Sequence, residues 1–202
     1  MELILLIALF ALSMTGSPGP ANMILLASGA QYGYRKSVFL LLGTMTGFLA
    51  VGISVAAGLG ALFSLFPALR YTFLGFSAAY MLYLAYKIAF SDPSLSNGKA
   101  RAGYRSGILI HILNPKAWAM LIAAYSQFTE PDWTPVTQFL VLQIIFAIVG
   151  FSSNSLWILA GDALNKFVEN TNTLRLINKG LAVVMLAVVT YSVMQTDLID
   201  KL

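Results

Sequence analysis

The sequence lacks cysteine entirely and contains a single histidine, His111. Without cysteine neither a disulfide framework nor a thiolate metal site can form, and one histidine excludes a multi-histidine metal centre. We therefore expect no metal and no other cofactor. Charge is also scarce, because only 10% of the 202 residues are charged, whereas a soluble domain carries about 25%. This composition excludes an ordinary soluble domain.

Hydrophobic sequence takes the place of charge, with 58% hydrophobic residues and a mean hydropathy of +0.80. A helix needs about 20 apolar residues to cross the hydrocarbon core of a bilayer, and six segments reach that length. They cover residues 3–31, 37–66, 71–90, 106–128, 135–164 and 176–196. Strands of a transmembrane barrel alternate apolar and polar residues, whereas these segments are apolar on every face. The pattern predicts an all-α integral membrane protein with six transmembrane helices in a lipid bilayer.

Two of the six segments are interrupted by proline at corresponding positions. The first contains SPGPANMILLAS, in which Pro18, Gly19 and Pro20 follow one another, and the fourth contains Pro115 within ILNPKAWAMLIAAY. Proline has no amide hydrogen and its ring clashes with the preceding turn, so the first and fourth helices should both break.

The matching interruptions predict an internal repeat within a single transmembrane domain. Residues 1–90 form the first repeat, residues 91–105 form a polar loop, and residues 106–202 form the second repeat. Because each repeat has three spans, an odd number, the second repeat enters the membrane upside down. Inverted repeats with paired broken helices are common in secondary transporters, where the solute binds between the breaks.

The broken helices predict a binding site near the middle of the membrane. Freed carbonyls around residues 14–16, and free amides where the helices restart after Pro20 and Pro115, cannot face lipid and must face protein or a water-filled cavity. Asn22 and Asn114 flank the breaks and add side-chain donors and acceptors. A zwitterionic amino acid fits this arrangement, because its carboxylate suits helix N-termini and its ammonium suits carbonyls.

Other polar residues within the spans each have two interpretations. Lys116 lies inside the fourth segment, where a charge either serves function or reaches toward the nearer interface. Asn154 either lines a cavity or forms an interhelical hydrogen bond. Tyr80 and Tyr83 either line a polar cavity or pack between helices. Asp162, near the end of the fifth segment, is either a proton site or an interfacial cap.

Spaced glycines indicate close packing between helices. Gly29 with Gly33, and Gly43 with Gly47, form GxxxG pairs, a spacing that lets helix backbones approach. We expect packing within the chain to be their main role, and the same faces also allow a homodimer. The second segment, residues 37–66, is longer than a straight crossing needs, so we expect it to tilt or bend.

The basic residues are distributed unevenly between the two sides of the predicted membrane domain. The side that holds both termini has Arg70 and Lys201. The other side has nine basic residues, Arg35, Lys36, Lys87, Lys99, Arg101, Arg105, Lys166, Arg175 and Lys179. By the positive-inside rule the richer side is cytoplasmic, which places both termini outside the cytoplasm. The net charge of +4 thus reflects orientation, and we expect no nucleic-acid partner.

Together these residues resemble the lysine-exporter (LysE/RhtB) family of amino-acid efflux proteins. The resemblance rests on four motifs in order: the PGP of residues 18–20, the glycines of QYGYRKSVFLLLGTMTG, AAYMLYLAYK in the third span, and LNPKA at residues 113–117. It implies amino-acid export across the bacterial inner membrane, driven by the proton gradient. Relatives often carry Pro-Gln-Phe where this chain has Ser126, Gln127 and Phe128, which puts in doubt any gate geometry borrowed from the family.

The leading hypothesis is therefore a proton-coupled exporter that works by alternating access, with an amino acid or a related small metabolite as substrate. No acidic residue lies deep in a span, so the proton-carrier candidates are Lys116, His111, Asp162 and the substrate itself. A passive channel or uniporter for a small polar solute is the alternative. An enzyme is disfavoured, because His111 has no evident partner for catalysis.

Overall fold

The protein is described here by a computed structural model, which covers residues 2–90, 103–168 and 170–199. Within these ranges the chain forms nine α-helices and no strand. The helices are α1 (Glu2–Gly16), α2 (Pro20–Tyr32), α3 (Tyr34–Ala56), α4 (Leu59–Leu65), α5 (Pro67–Ala89), α6 (Tyr104–Ile112), α7 (Pro115–Gln127), α8 (Pro135–Phe167) and α9 (Thr171–Ile199). The predicted all-α fold is confirmed.

The helices account for six membrane spans. By length and composition α3, α8 and α9 are each able to cross a membrane alone. The α1–α2 and α6–α7 pairs each form one broken span, bent by 62° and 60° respectively. The sixth span is α5, which follows α4 after a bend of 112°. Both breaks predicted at proline are therefore present, and their bends are nearly equal.

The second predicted segment bends, which is one of the two outcomes that its length suggested. Within residues 37–66, α3 ends at Ala56 and the separate helix α4 follows. The chain turns at Gly58, whose φ of 91° lies in the left-handed region that favours glycine. Most of the predicted polar loop, residues 91–102, lies outside the described residues, and its last residue, Arg105, belongs to α6.

Successive spans cross in opposite directions, which defines two faces of the bundle. The terminal face is the one where α1 begins and where the connections from α3 to α5 and from α7 to α8 lie. The basic face is the opposite one, where α2 meets α3 at Gly33 and where α6 begins.

Backbone contacts between helices are closest on the basic half of the bundle. A Cβ atom at Gly29 of α2 would collide with the carbonyl oxygen of Ile158 in α8, and one at Gly161 of α8 would collide with that of Leu26 in α2. These two glycines face each other, so the two helices meet backbone to backbone.

The same kind of contact joins α3 to α6. A Cβ atom at Gly43 would collide with the carbonyl oxygen of Tyr104, and one at Gly107 would collide with that of Leu40. Gly47 also faces α6, at Ile108. The predicted packing role of Gly29, Gly43 and Gly47 is confirmed, so these faces are occupied within the chain. The homodimer stays a prediction.

The buried apolar residues form two clusters, one toward each face. The cluster on the basic half joins α2 to α5 and α9 and includes Leu25, Met81 and Met185. The cluster on the terminal half joins α1, α3, α7 and α8 around Phe146 and Leu121. The two helix breaks lie between the clusters, which leaves the middle of the bundle free for a polar site.

Candidate functional site

At the first break, side chains satisfy the carbonyls that the prolines release. The Asn22 amide nitrogen donates to the carbonyl oxygens of Thr15 and Ser17, at 2.9 Å in each case. The Ser17 hydroxyl donates to the carbonyl of Met14 at 3.0 Å. The sequence predicted that these carbonyls would be open to a substrate, but several are already paired. Asn22 is buried and therefore has a structural role at the end of α1.

At the second break, side chains likewise form hydrogen bonds with the free backbone groups. The Trp118 indole nitrogen donates to the carbonyl oxygen of Ile112, the last residue of α6, at 2.9 Å. Asn114 is the N-cap of α7, and its side-chain oxygen accepts from the amide of Lys116 at 3.2 Å. Pro115 occupies the first helical position, where a missing amide costs nothing. In both breaks a residue of the following helix satisfies the end of the preceding one.

Lys116 joins the two breaks. Its ammonium nitrogen donates to the carbonyl oxygen and to the hydroxyl of Ser17, both at 2.8 Å. These groups lie at the C-terminal end of α1, the negative end of the helix dipole, where a cation is favoured. Of the two interpretations offered by the sequence, the structure favours the first, because the half-buried Lys116 contacts a carbonyl of the protein. No carboxylate of the described residues pairs with Lys116.

Gly19 allows the close approach of Lys116 to the first break. A Cβ atom at Gly19 would lie 3.0 Å from Lys116 Cδ and 3.2 Å from its ammonium nitrogen. Any larger residue would press on the lysine side chain. An alanine at this position would therefore require the lysine side chain to shift.

A small cavity lies between the breaks. Its volume is about 30 Å³, which exceeds the space that one water molecule needs. Its polar lining comes from Asn22, His111, Asn114, Lys116 and Asn154. Its apolar lining includes Met14, Met45, Phe48, Met120 and Phe146. The structure thus places a cavity with a mixed polar and apolar wall between the two breaks.

Two polar groups on the cavity wall have no hydrogen-bond partner among the described residues. The Nδ1 atom of His111 is buried and unpaired, and the ring meets Phe48 edge to face at 5.7 Å between centroids. Asn154 is only 5% exposed, and no side-chain hydrogen bond joins it to another described residue. The interhelical hydrogen bond that the sequence suggested for Asn154 is therefore not formed with any described residue. Both groups are available to a bound solute.

Some predicted site residues lie away from this cavity. Tyr80 packs against the cluster of the basic half, and Tyr83 is 52% exposed with the Lys87 ammonium 5.2 Å from its ring centre. Asp162 binds Lys166 at 2.8 Å and lies next to Gly33 at the basic face. This position agrees with the interfacial-cap interpretation of Asp162.

The prolines Pro18, Pro20 and Pro115 shape the breaks but do not line the cavity. At the segment with doubtful gate geometry, α7 ends at Gln127. Gln138 of α8 donates to the carbonyls of Tyr125 and Phe128, at 3.0 and 2.9 Å. The end of α7 is therefore held by α8.

Sequence reasoning missed the apolar half of the cavity lining. Phe48 and Phe146 stand in runs that are apolar on every face, so no period distinguishes a cavity residue from one that faces lipid. Ser17 was also missed as a partner of Lys116, although it directly precedes the PGP motif and its position there was a usable signal.

Comparison with known proteins adds a family. The family described as LysE type translocator matches residues 12–196 of the chain. The chain is similar to the cysteine/O-acetylserine efflux proteins of Salmonella choleraesuis and Salmonella typhimurium, each 30% identical over 151 residues, which cover 74% of this chain and 77% of the relative. The Escherichia coli protein of the same name is 28% identical with the same coverage. No solved structure matches the chain.

Proposed function

The chain belongs to the family of LysE type translocators, and from this premise we propose that it exports small amino acids or related metabolites from the cytoplasm. It is a multi-pass transporter of the inner membrane and not an enzyme. Its similarity to efflux proteins named for cysteine and O-acetylserine supports an amino-acid substrate. The observation that carries the proposal is the cavity between two broken helices, with Lys116 across both breaks.

The cavity offers complementary groups to both ends of an amino acid. Its carboxylate would accept from the Lys116 ammonium and from the first amides of α2, Ala21 and Asn22, which have no partner inside their own helix. Its ammonium would donate to the side-chain oxygen of Asn154. Because Lys116 already binds Ser17, substrate binding would exchange one partner of the lysine for another.

The lining favours a neutral and small side chain. Among the described residues that line the cavity, Lys116 alone carries a formal charge, and the apolar part of the wall includes three methionines and two phenylalanines. A cationic side chain would meet Lys116 without a carboxylate to compensate, which is costly in a water-poor site. Cysteine and O-acetylserine, the compounds named for the relatives, are both neutral in their side chains.

We propose transport by alternating access. The two faces are sealed differently, by backbone contacts between helices on the basic side and by aromatic side chains on the terminal side. The close packing on both sides of the cavity supports this mechanism over an open pore, because passive flow would need a continuous path. The basic face would be cytoplasmic, with both termini outside, by the positive-inside rule.

Lys116 and His111 are the proposed proton carriers, because both line the cavity and a proton released there can be coupled to substrate binding. Asp162 is less suited, since its carboxylate is bound to Lys166 away from the cavity. The substrate ammonium remains a third candidate.

The test is counterflow in proteoliposomes containing the purified protein. A panel of neutral, cationic and anionic amino acids, with cysteine and O-acetylserine among them, is offered with and without an imposed pH gradient. We expect neutral amino acids to exchange, and net flux to follow the pH gradient. Failure to move any member of the panel would overturn the proposal, and single-channel currents would favour the passive channel instead.

A further inference from the structure

Next to the cavity, the bundle contains two buried polar groups without partners. Gln143 of α8 is 6% exposed, and its amide nitrogen makes no hydrogen bond to any described residue. The hydroxyl of Tyr125 in α7 is also buried and makes no hydrogen bond to any described residue. The two side chains lie within interaction range of each other, although neither the Tyr125 hydroxyl nor the Gln143 amide nitrogen completes a hydrogen bond within the described part of the chain. Burying an unpaired donor is unfavourable, so this pair is poorly explained by stability alone.

The pair lies one helical layer from the cavity, toward the terminal face. On α8, Gln143 precedes the cavity residue Phe146 by three residues, or about one turn. On α3, Gly52 follows the cavity residue Phe48 by four. Tyr125 is close to the end of α7. A solute that leaves the cavity for the terminal face therefore meets this layer next.

Gly52 positions the Gln143 amide. A Cβ atom at Gly52 would collide with the amide nitrogen of Gln143, so the amide lies directly against the backbone of α3. Packing against this backbone, rather than a hydrogen bond, holds the Gln143 side chain. Its amide nitrogen therefore remains available as a donor to a ligand.

By their positions along α3 and α8, two phenylalanines of the cavity wall, Phe48 and Phe146, lie between this pair and the rest of the cavity. Phe146 is fully buried, and its ring centre lies 5.6 Å from that of Phe48 and 6.2 Å from that of Phe10. Phe10 in turn meets Phe128 at 5.3 Å. Aromatic side chains move by rotamer changes, which require less rearrangement than the separation of two helix backbones.

We propose that the Gln143 amide and the Tyr125 hydroxyl form an exit subsite, which binds the carboxylate of the transported solute after it passes Phe146. This inference rests on the proposed function. Both free groups are donors, and a carboxylate is purely an acceptor, so the pair suits that end of an amino acid rather than its ammonium. The carboxylate would thus pass from the Lys116 ammonium to a second set of donors.

The test compares solute affinity at the two faces. Right-side-out and inverted membrane vesicles expose opposite faces, and exchange of labelled cysteine or O-acetylserine is measured in each for Gln143→Met and Tyr125→Phe. Methionine keeps the length of glutamine without its donor. Each variant should raise the half-saturating concentration by at least about tenfold at the terminal face and by less than twofold at the basic face. The double variant should be little worse than either single one, because both donors hold the same group.

Gln138→Ala is the control for a structural effect, because this glutamine holds the backbone carbonyls of Tyr125 and Phe128 but supplies no donor to the proposed subsite. This variant should lower the thermal midpoint in detergent, and its half-saturating concentration should change equally at the two faces. Gln143→Met should not lower the thermal midpoint. Equal effects at both faces, or no effect, would overturn the exit subsite. If the unaltered protein exchanges no amino acid at either face, the proposed function itself fails.

Discussion

Replacing Gly161 by alanine should open the basic face of the bundle. The added methyl group would collide with the carbonyl oxygen of Leu26 and lie 2.7 Å from the amide nitrogen of Ala30, whereas ordinary contact begins at 3.4 Å. Both neighbours are backbone atoms of α2, which cannot yield by a rotamer change. The two helices must therefore move apart, by roughly 1 Å at this level.

The size of the effect follows from the cost of overpacking. Forcing an extra methyl group into a tight contact costs about 1–3 kcal/mol. If the form that opens toward the basic face relieves the contact, the equilibrium shifts toward it by a factor of roughly 5 to 150. The closed form described here should then become less populated by the same factor.

A single cysteine reports this shift, because the natural chain contains none. Ser28 of α2 is 5% exposed and bonded to Ser37, so a Ser28→Cys side chain should react slowly with a maleimide applied to the basic face. In the Gly161→Ala background the reaction should become at least about fivefold faster.

Two controls make the test decisive. Gly180→Ala adds a methyl group that meets nothing within 4 Å and should leave the labelling rate unchanged. A cysteine at Ala124, fully buried on the terminal half, should not react faster. Equal labelling of Ser28→Cys in the Gly161→Ala and Gly180→Ala backgrounds would refute the backbone seal. Faster labelling at both buried positions would indicate general loosening instead.

The remaining predictions concern the two breaks. Lys116→Met should reduce counterflow at least about tenfold, because two charge-assisted hydrogen bonds are lost. Ser17→Ala keeps the carbonyl acceptor and should reduce counterflow less. Unchanged transport and pH dependence in Lys116→Met would exclude a role for the charge. Gly19→Ala should displace Lys116 and lower efflux more than membrane abundance, measured by transport and immunoblotting. Asn114→Ala removes a helix cap worth about 1 kcal/mol, so the thermal midpoint should fall slightly while efflux falls strongly, and equal losses would indicate a folding role.

The breaks were predictable from the sequence because proline acts locally. Pro20 and Pro115 each occupy the first position of a new helix, as a residue without an amide hydrogen must in order to avoid disrupting a helix. The number of spans was likewise predictable, because it follows from the number of apolar segments that are long enough to cross a membrane. The length of the second segment also predicted a tilt or a bend, but the place of the bend, after Ala56 at Gly58, follows only from the backbone angles.

The site was only partly predictable, because its geometry joins residues far apart in the chain. The sequence identified Lys116, Asn114 and Asn154, but not the Ser17 groups that bind the lysine. It also placed Tyr83 near the site, whereas α5 turns this residue outward. In a helix that is apolar on every face, composition does not indicate which side meets lipid and which meets protein.

The sequence by itself determined that the chain crosses a membrane six times and that its first and fourth spans break, since hydrophobic length and proline stereochemistry act within a few residues. Only the tertiary structure decided that the carbonyls at the first break are paired by Asn22 and Lys116, that Phe146 lies between the cavity and Gln143, and that glycines seal the basic face. These features depend on the distance between helices, which packing of the whole bundle fixes.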